Sequence, residues 1–275
     1  MASIDIILKN AVDHHRRGDL ARAQSLYRGV LDIDCNNVDA LRLLGLISYN
    51  QGDRDEALDL MRRAASLRPD QQVLCFELGT MLEGMGRENE AREAYEATLR
   101  ISPNHSQAYV RLGAIHRQCG RYHDARWAYE RAVEVDPGLF DGWNNLGAAC
   151  KILGDLRAAV AALERAIELN PRRVECHNNL GMVFSELGEV DRALCSFENA
   201  IRIDPTCTSA FVNLGTEHLN RGDLHGAQRA FSEAVRINPR DVVSHSNQLV
   251  TSAYDPSLAL TTLIDSHRAW ACSHT

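Results

Sequence analysis

The sequence predicts an all-α solenoid of stacked helix pairs, and three recurrences within its 275 residues carry that prediction. Six of the seven prolines recur every 34 residues, from Pro69 to Pro239. Two sets of glycines and one set of alanines follow the same period. A fixed period of this length is typical of repeat proteins, in which each repeat is one supersecondary unit that stacks on the next.

The segments between these residues have the periodicity of amphipathic helices. In residues 140–153, and again in residues 156–169, apolar side chains recur every three or four positions and share one helical face. Gly154 and Asp155 separate the two segments. Each 34-residue unit is therefore expected to be an antiparallel helix pair joined by a short turn.

The small residues have positions that suggest their roles. One glycine set, represented by Gly147, lies inside a helix, where glycine costs about 0.5–1 kcal/mol relative to alanine. Close approach of a neighbouring helix would offset that cost. At the alanine set, represented by Ala159, a larger side chain would overpack the core by about 1–3 kcal/mol. The second glycine set, represented by Gly154, is expected to close a helix in the left-handed conformation.

These units resemble the tetratricopeptide repeat. With each unit numbered from 1 to 34, Leu146 stands at position 7, Gly147 at 8, Ala159 at 20, Ala166 at 27 and Pro171 at 32, as in that family. The resemblance implies a right-handed superhelical solenoid of seven helix pairs, followed by a C-terminal capping pair. Its first helices would line an inner wall that binds extended or helical peptides or another protein. The seven units are 4–37, 38–71, 72–105, 106–139, 140–173, 174–207 and 208–241.

Composition and motifs argue against several function classes. The formal charge of −7 disfavours a strongly basic nucleic-acid binder and an anionic membrane surface. No apolar run approaches the roughly 20 residues of a membrane helix, and no phosphate-binding, metalloprotease or hydrolase motif occurs. We therefore expect a cytoplasmic protein that is not an enzyme, with proteins or peptides as partners and no cofactor or metal.

The cysteines fit the same expectation. Eight occur without a CxxC pair, which disfavours a structural zinc site and, without an export signal, favours reduced thiols. Cys75, Cys150 and Cys195 fall at positions that predict packing between helices.

One polar pattern stands out on the predicted inner wall. Position 6 carries Asn145, Asn179, Asn213 and Asn247, although Asn in a helix is worse than Ala by up to about 0.7 kcal/mol. A carboxamide both donates and accepts, so this row could pair with the backbone of an extended peptide. Alternatively, each Asn could bond to a neighbouring repeat. Asp141, at position 2, could add specificity to the wall or simply face water at a helix start.

Residues 242–275 break the repeat and are expected to form the capping pair. They resemble the segment that joins repeats to the catalytic domain in bacterial O-linked N-acetylglucosamine transferase-like proteins. The matching residues are His245-Ser246-Asn247, Tyr254-Asp255-Pro256 and His267-Arg268-Ala269-Trp270.

That resemblance implies that Asn145, Asn179, Asn213 and, less directly, Asn247 recruit acceptor proteins, with Asp141 as an acidic residue of the wall. A nucleotide-sugar domain is expected to follow, and none lies within this chain, so we expect a substrate-recruiting module. The alternative is a stand-alone scaffold that assembles a protein complex. At position 6, Leu43, Glu77 and Arg111 depart from the row, which disfavours peptide binding of this kind by the N-terminal half.

Overall fold

The computed structural model describes residues 4–254 together with residues 264, 268 and 270. Within them the chain forms fifteen α-helices and no strand, which confirms the all-α fold class. The helices are α1 (Ile4–Arg16), α2 (Leu20–Ile33), α3 (Val38–Gln51), α4 (Arg54–Leu67), α5 (Gln72–Gly84), α6 (Glu88–Ile101), α7 (Ser106–Gln118), α8 (Tyr122–Val135), α9 (Phe140–Ile152), α10 (Leu156–Leu169), α11 (Val174–Glu186), α12 (Val190–Ile203), α13 (Thr208–Asn220), α14 (Leu224–Ile237) and α15 (Val242–Ala253).

The chain divides into two compact units, Met1–Pro137 and Gly138–Thr275. In the first unit α1 packs on α2, α3 on α4, α5 on α6 and α7 on α8, and each pair contacts the next. The second unit continues in the same way with α9 on α10, α11 on α12 and α13 on α14, and α15 packs against α14. Each unit is thus a stack of helix pairs whose core lies between neighbouring helices. The second helix of the predicted capping pair lies almost entirely outside the described residues.

The helix ends show why the turns are short. Gly154 closes the turn after α9 with a φ of 77°, and the equivalent glycines from Gly18 to Gly222 have φ between 72° and 91°. Asp155 follows and caps α10, because its carboxylate accepts a hydrogen bond from the Ala158 amide at 3.2 Å. The predicted left-handed role of this glycine set is therefore confirmed.

The other glycines let the helices of each pair interlock. A Cβ atom added at Gly181 of α11 would lie only 2.5 Å from the ring of Phe197 on α12. At Gly147 the same atom would lie 2.6 Å from Leu163. Phe197 and Leu163 both stand at position 24 of their repeats and are buried, Phe197 being 1% exposed. The expectation that close helix approach explains this glycine set is confirmed.

The three cysteines predicted to pack behave differently. Cys150 is buried and Cys75 is half-buried, but Cys195 is exposed, so the prediction for Cys195 is wrong. Cys195 stands at position 22 of its repeat, and this position faces outwards from the second helix. The thiol lies 3.8 Å from the Asn199 side-chain amide on the same helix. The charged residues at the same position of other repeats, Asp59, Glu93 and Arg229, are the signal in the sequence for this exposure.

Candidate functional site

The asparagine row, defined as Asn145, Asn179, Asn213 and Asn247, lies on four helices of the second unit. Its members stand near the middle of α9, α11, α13 and α15, and all four are half-buried. Two of them bond to the preceding helix pair. The Asn179 amide donates to the Asn144 carboxamide oxygen at 3.3 Å, and the Asn213 amide donates to that of Asn178 at 2.9 Å.

The partner in each bond stands at position 5 of the preceding repeat, 35 residues earlier. For Asn247 this position holds Val212, whose side chain has no polar atom. For Asn145 the corresponding residue in the sequence is Val110. Among the described residues, neither Asn145 nor Asn247 has a side-chain hydrogen bond. The row therefore has two bonded and two unbonded members, and the bonding alternative holds for Asn179 and Asn213.

The bonds leave hydrogen-bonding capacity unused on the half-buried side chains. A carboxamide has two donor hydrogens and an oxygen that can accept twice. Asn179 and Asn213 each use one hydrogen on the neighbouring repeat, and this fixes the direction of the amide plane. The oxygen and the second hydrogen of each stay available to a ligand. The arrangement is suited to pairing with peptide groups, each of which has one donor and one acceptor.

Asp141 lies beside the row, in the exposed first turn of α9. Its carboxylate is close enough to Cys176 of α11 to influence that thiol. Burial raises the pKa of Cys176 to about 12, and the negative charges of Glu175 and Asp141 add to the effect. The thiol also donates to the Asn144 oxygen at 3.2 Å. The Cys176 thiol is therefore protonated at neutral pH, and Asp141 supplies negative charge at the helix start.

A shallow cavity of about 330 Å³ adjoins the row where α13 and α15 begin. Asn213 lines it together with Thr208, Ser209 and Asp241, and Val212 and Val243 supply apolar surface. The side chains of Thr208, Ser209 and Asp241 thus line the same cavity as Asn213. Sequence reasoning missed this cavity, because its residues come from two repeats and no spacing rule joins them.

In the first unit, an ion pair occupies the two repeat positions that hold amide pairs in the second unit. Arg42 and Glu77 stand at positions 5 and 6 of successive repeats, the same relation as Asn144 and Asn179. The guanidinium donates to both carboxylate oxygens, at 2.6 and 2.7 Å. This hydrogen bonding with Glu77 raises the pKa of Arg42, although burial acts in the opposite direction. The sequence carried a signal for it, since the opposite charges lie 35 residues apart.

The described residues hold no group of three or more His, Cys, Asp or Glu side chains placed to bind a metal ion. Two histidines at position 4 instead anchor the start of their helices. Nε2 of His177 lies 3.0 Å from the Pro171 carbonyl oxygen, and Nε2 of His245 lies 2.9 Å from that of Pro239. No helix in the described part of the chain is long and apolar enough to span a membrane.

Comparison with known families gives matches along most of the chain. Family models described as the tetratricopeptide repeat match residues 14–76, 73–105, 106–149, 140–173, 162–194 and 208–241. Together they cover much more than half of the sequence. A comparison with curated proteins gives no match.

Solved structures show the same fold at low sequence identity. YrrB, described as a TPR protein with an unusual peptide-binding site, is 22% identical with a TM-score of 0.59, over 67% of this chain and 95% of that one. A tetratricopeptide repeat protein from Parabacteroides merdae is 19% identical with a TM-score of 0.63, over 90% and 98%. A chain of the APC/C hetero-tetramer Cut9–Hcn1 is 15% identical with a TM-score of 0.64, over 91% and 49%.

Proposed function

We infer that this chain, which belongs to the tetratricopeptide repeat family, is a protein-binding module that holds an extended polypeptide along the asparagine row. The observation that carries the proposal is the geometry of the row itself. Bonds to the preceding repeat orient Asn179 and Asn213 while leaving a donor and an acceptor on each side chain unused. Groups oriented before binding lose less conformational freedom when a ligand arrives.

The spacing of the row matches that of an extended peptide. Packed helices lie about 8–10 Å apart, and three residues of extended chain span about 10 Å. Each Asn would therefore meet the backbone at about every third residue. Each contact contributes only about 0.5–1.5 kcal/mol, so binding is weak and tolerant of peptide sequence. The cavity beside Asn213 would accept a polar side chain of the same peptide, next to Asp241.

The finer proposal is recruitment of acceptor proteins for an O-linked N-acetylglucosamine transferase-like enzyme. Its support is the tail resemblance together with the row. Of the tail motifs, Asp255, Pro256, His267 and Ala269 lie outside the described residues. The reading frame beyond Thr275 tests this proposal, which requires alternating strands and helices there. We also propose that the seven repeats have the bounds from 4–37 to 208–241 and that the protein is cytoplasmic.

The row can be tested by separating its bonded and unbonded members. Asn145→Ala/Asn247→Ala should weaken peptide binding and leave the melting temperature unchanged, since neither side chain has a hydrogen bond among the described residues. Asn179→Ala/Asn213→Ala should weaken binding and also lower stability, by about 1 kcal/mol for each lost bond. Peptides selected from a displayed random library against the wild-type chain serve as ligands, with affinity measured by fluorescence anisotropy.

Asn199→Ala is the matched control, because Asn199 lies in the interior of α12 and bonds only within its own helix. This variant should bind as the wild type does. Unchanged peptide affinity in both double variants would reject the row as a binding site.

The alternative function is a stand-alone scaffold that assembles a complex. The helix-pair stack supports it as well, because such stacks present extended surfaces to protein partners. A scaffold has a stable partner in fixed stoichiometry, whereas a recruiting module has many transient ones. Purification of the tagged chain at moderate salt, followed by mass spectrometry, distinguishes the two outcomes.

A further inference from the structure

A second cavity lies in the first unit, between α6, α7 and α8, and we call it the α6–α8 groove. Its volume is about 480 Å³, within the range of about 300–1,000 Å³ typical of ligand sites. It shares no residue with the asparagine row, which lies in the second unit. The groove is therefore a candidate binding site separate from the one in the proposed function.

An exposed aromatic side chain forms one wall. Trp127 of α8 is 53% exposed and meets Tyr109 of α7 edge to face, with ring centroids 5.9 Å apart. Leu99 and Leu112 extend the apolar surface. The other repeats have small or polar residues at this position, namely Ser25, Asp59, Glu93, Ala161, Cys195 and Arg229. Trp is enriched among the few central residues that contribute most of the binding energy of protein interfaces.

The charges around the groove leave one cation unbalanced. Glu96 pairs with Arg92, and Asp124 pairs with Arg121, each at 2.7 Å. Arg100 is exposed, lines the groove and makes no ion pair with any described residue. A carboxylate on a ligand would complement it with a charge-assisted hydrogen bond.

A buried polar group at the groove also lacks a partner. His116 lines the groove and is only 6% exposed, yet its Nδ1 has no hydrogen-bond partner among the described residues. Burial lowers the pKa of this imidazole, so the ring is neutral at pH 7. Buried polar atoms in folded proteins are nearly always paired, so an unpaired one at a cavity is a candidate contact for a ligand.

We propose that the α6–α8 groove binds a short peptide segment in which an aromatic or long aliphatic side chain stands next to an acidic residue. The apolar side chain packs against Tyr109 and Trp127, and the carboxylate pairs with Arg100. A volume of about 480 Å³ fits a short segment of a partner protein and not a folded domain.

The probe is a fluorescein-labelled hexapeptide, Ser-Asp-Phe-Glu-Leu-Ser, titrated with the full chain in an anisotropy assay. Ser-Asn-Phe-Gln-Leu-Ser, which lacks the charges, and Ser-Asp-Gly-Glu-Gly-Ser, which lacks the apolar side chains, should each bind about tenfold more weakly or worse. Trp127→Ala and Arg100→Glu should each lower the affinity for the first peptide by a similar factor. Equal binding of the three peptides would overturn the proposal.

Two controls occupy matched places in the chain. Arg202→Glu reverses the charge at the same repeat position as Arg100, on α12, and Tyr122→Ala removes an exposed aromatic residue of α8 that does not line the groove. Both should leave affinity unchanged. If Trp127→Ala proves unstable, Arg100→Glu still tests the proposal, since the Arg100 side chain is exposed and makes no ion pair with any described residue. Because the asparagine row is proposed to accept peptides of any sequence, Trp127→Ala is also measured in the Asn145→Ala/Asn247→Ala background, and hexapeptide affinity that does not fall when Trp127→Ala is added there would reject the groove.

Discussion

At the scale of single residues, the repeat depends on contact between a glycine and a large side chain. Gly181 and Phe197 illustrate it, because a methyl group on the glycine would overlap the ring at 2.5 Å. Glycine weakens its own helix, and the tight packing of a buried ring offsets that loss. The period of the sequence identified both residues, and the structure shows that they touch.

Gly181→Ala should lower the free energy of unfolding despite the better helix propensity of alanine. Overpacking costs about 1–3 kcal/mol, against a propensity gain of about 1 kcal/mol. Gly29→Ala is the matched control, because Gly29 lies inside α2 with no atom within 4 Å of its added Cβ. That control should gain stability. Urea unfolding followed by circular dichroism measures both, and a Gly181→Ala variant more stable than wild type would contradict the packing argument.

At the scale of helices, side chains at positions 5 and 6 join successive repeats, and the type of bond between them varies along the chain. Positions 5 and 6 hold an ion pair at Arg42 and Glu77 and an amide pair at Asn144 and Asn179. The backbone geometry is thus kept while the polar surface changes along the chain. The first unit presents charges that satisfy each other, and the second presents amides with unused hydrogen-bonding capacity.

The start of α15 gives a pH-dependent test at the same scale. Asp241 caps this helix, accepting hydrogen bonds from the Ser244 hydroxyl and from its amide at 2.8 Å, and these bonds lower the pKa of Asp241. A carboxylate with a lowered folded-state pKa stabilises the protein fully above its unfolded pKa of about 4. That stability is lost as the pH falls through the lower folded value.

Asp241→Asn keeps a capping oxygen but cannot titrate. Wild type should therefore exceed this variant in stability at pH 7, and the difference should shrink below about pH 4. Thermal melts of both proteins at pH 7 and at about pH 2.5 give the comparison. A stability difference that stays constant across this range would show that the Asp241 charge contributes nothing.

At the scale of the whole molecule, stability comes from contacts between neighbouring helix pairs. Within the described residues, the α11–α12 pair packs between α10 and α13, whereas the α1–α2 pair contacts another helix pair only through α3. Stability in such stacks is approximately a sum of repeat and interface contributions. A terminal pair should therefore open more readily than an internal one.

Hydrogen exchange measured by mass spectrometry tests whether the terminal pair opens more readily than an internal pair. Amides of α2 should exchange faster than those of α12, because opening the terminal pair breaks one interface instead of two. The α5–α6 pair, which has neighbours on both sides in the first unit, serves as the internal control. Equal protection of α2 and α12 would indicate that each unit opens as a whole.

How much the sequence could predict depends on the range of the interactions. It predicted the helices, their turns and the close approach of helices at the glycine set, because the 34-residue period repeats the same local pattern. It placed the asparagine row at one position of the repeat but left open whether each member bonds to a neighbour. That depends on the partner at position 5, which is Asn for two members and Val for Asn247.

The sequence by itself thus determined the fold class of this protein, since periodic apolar faces can be buried only by stacking. The tertiary structure alone decided which side chains meet between helices. It brought Trp127, Tyr109 and Arg100 together around one groove. The physical reason is that these contacts depend on how neighbouring helices pack, and residues on separate helices carry no spacing that fixes it.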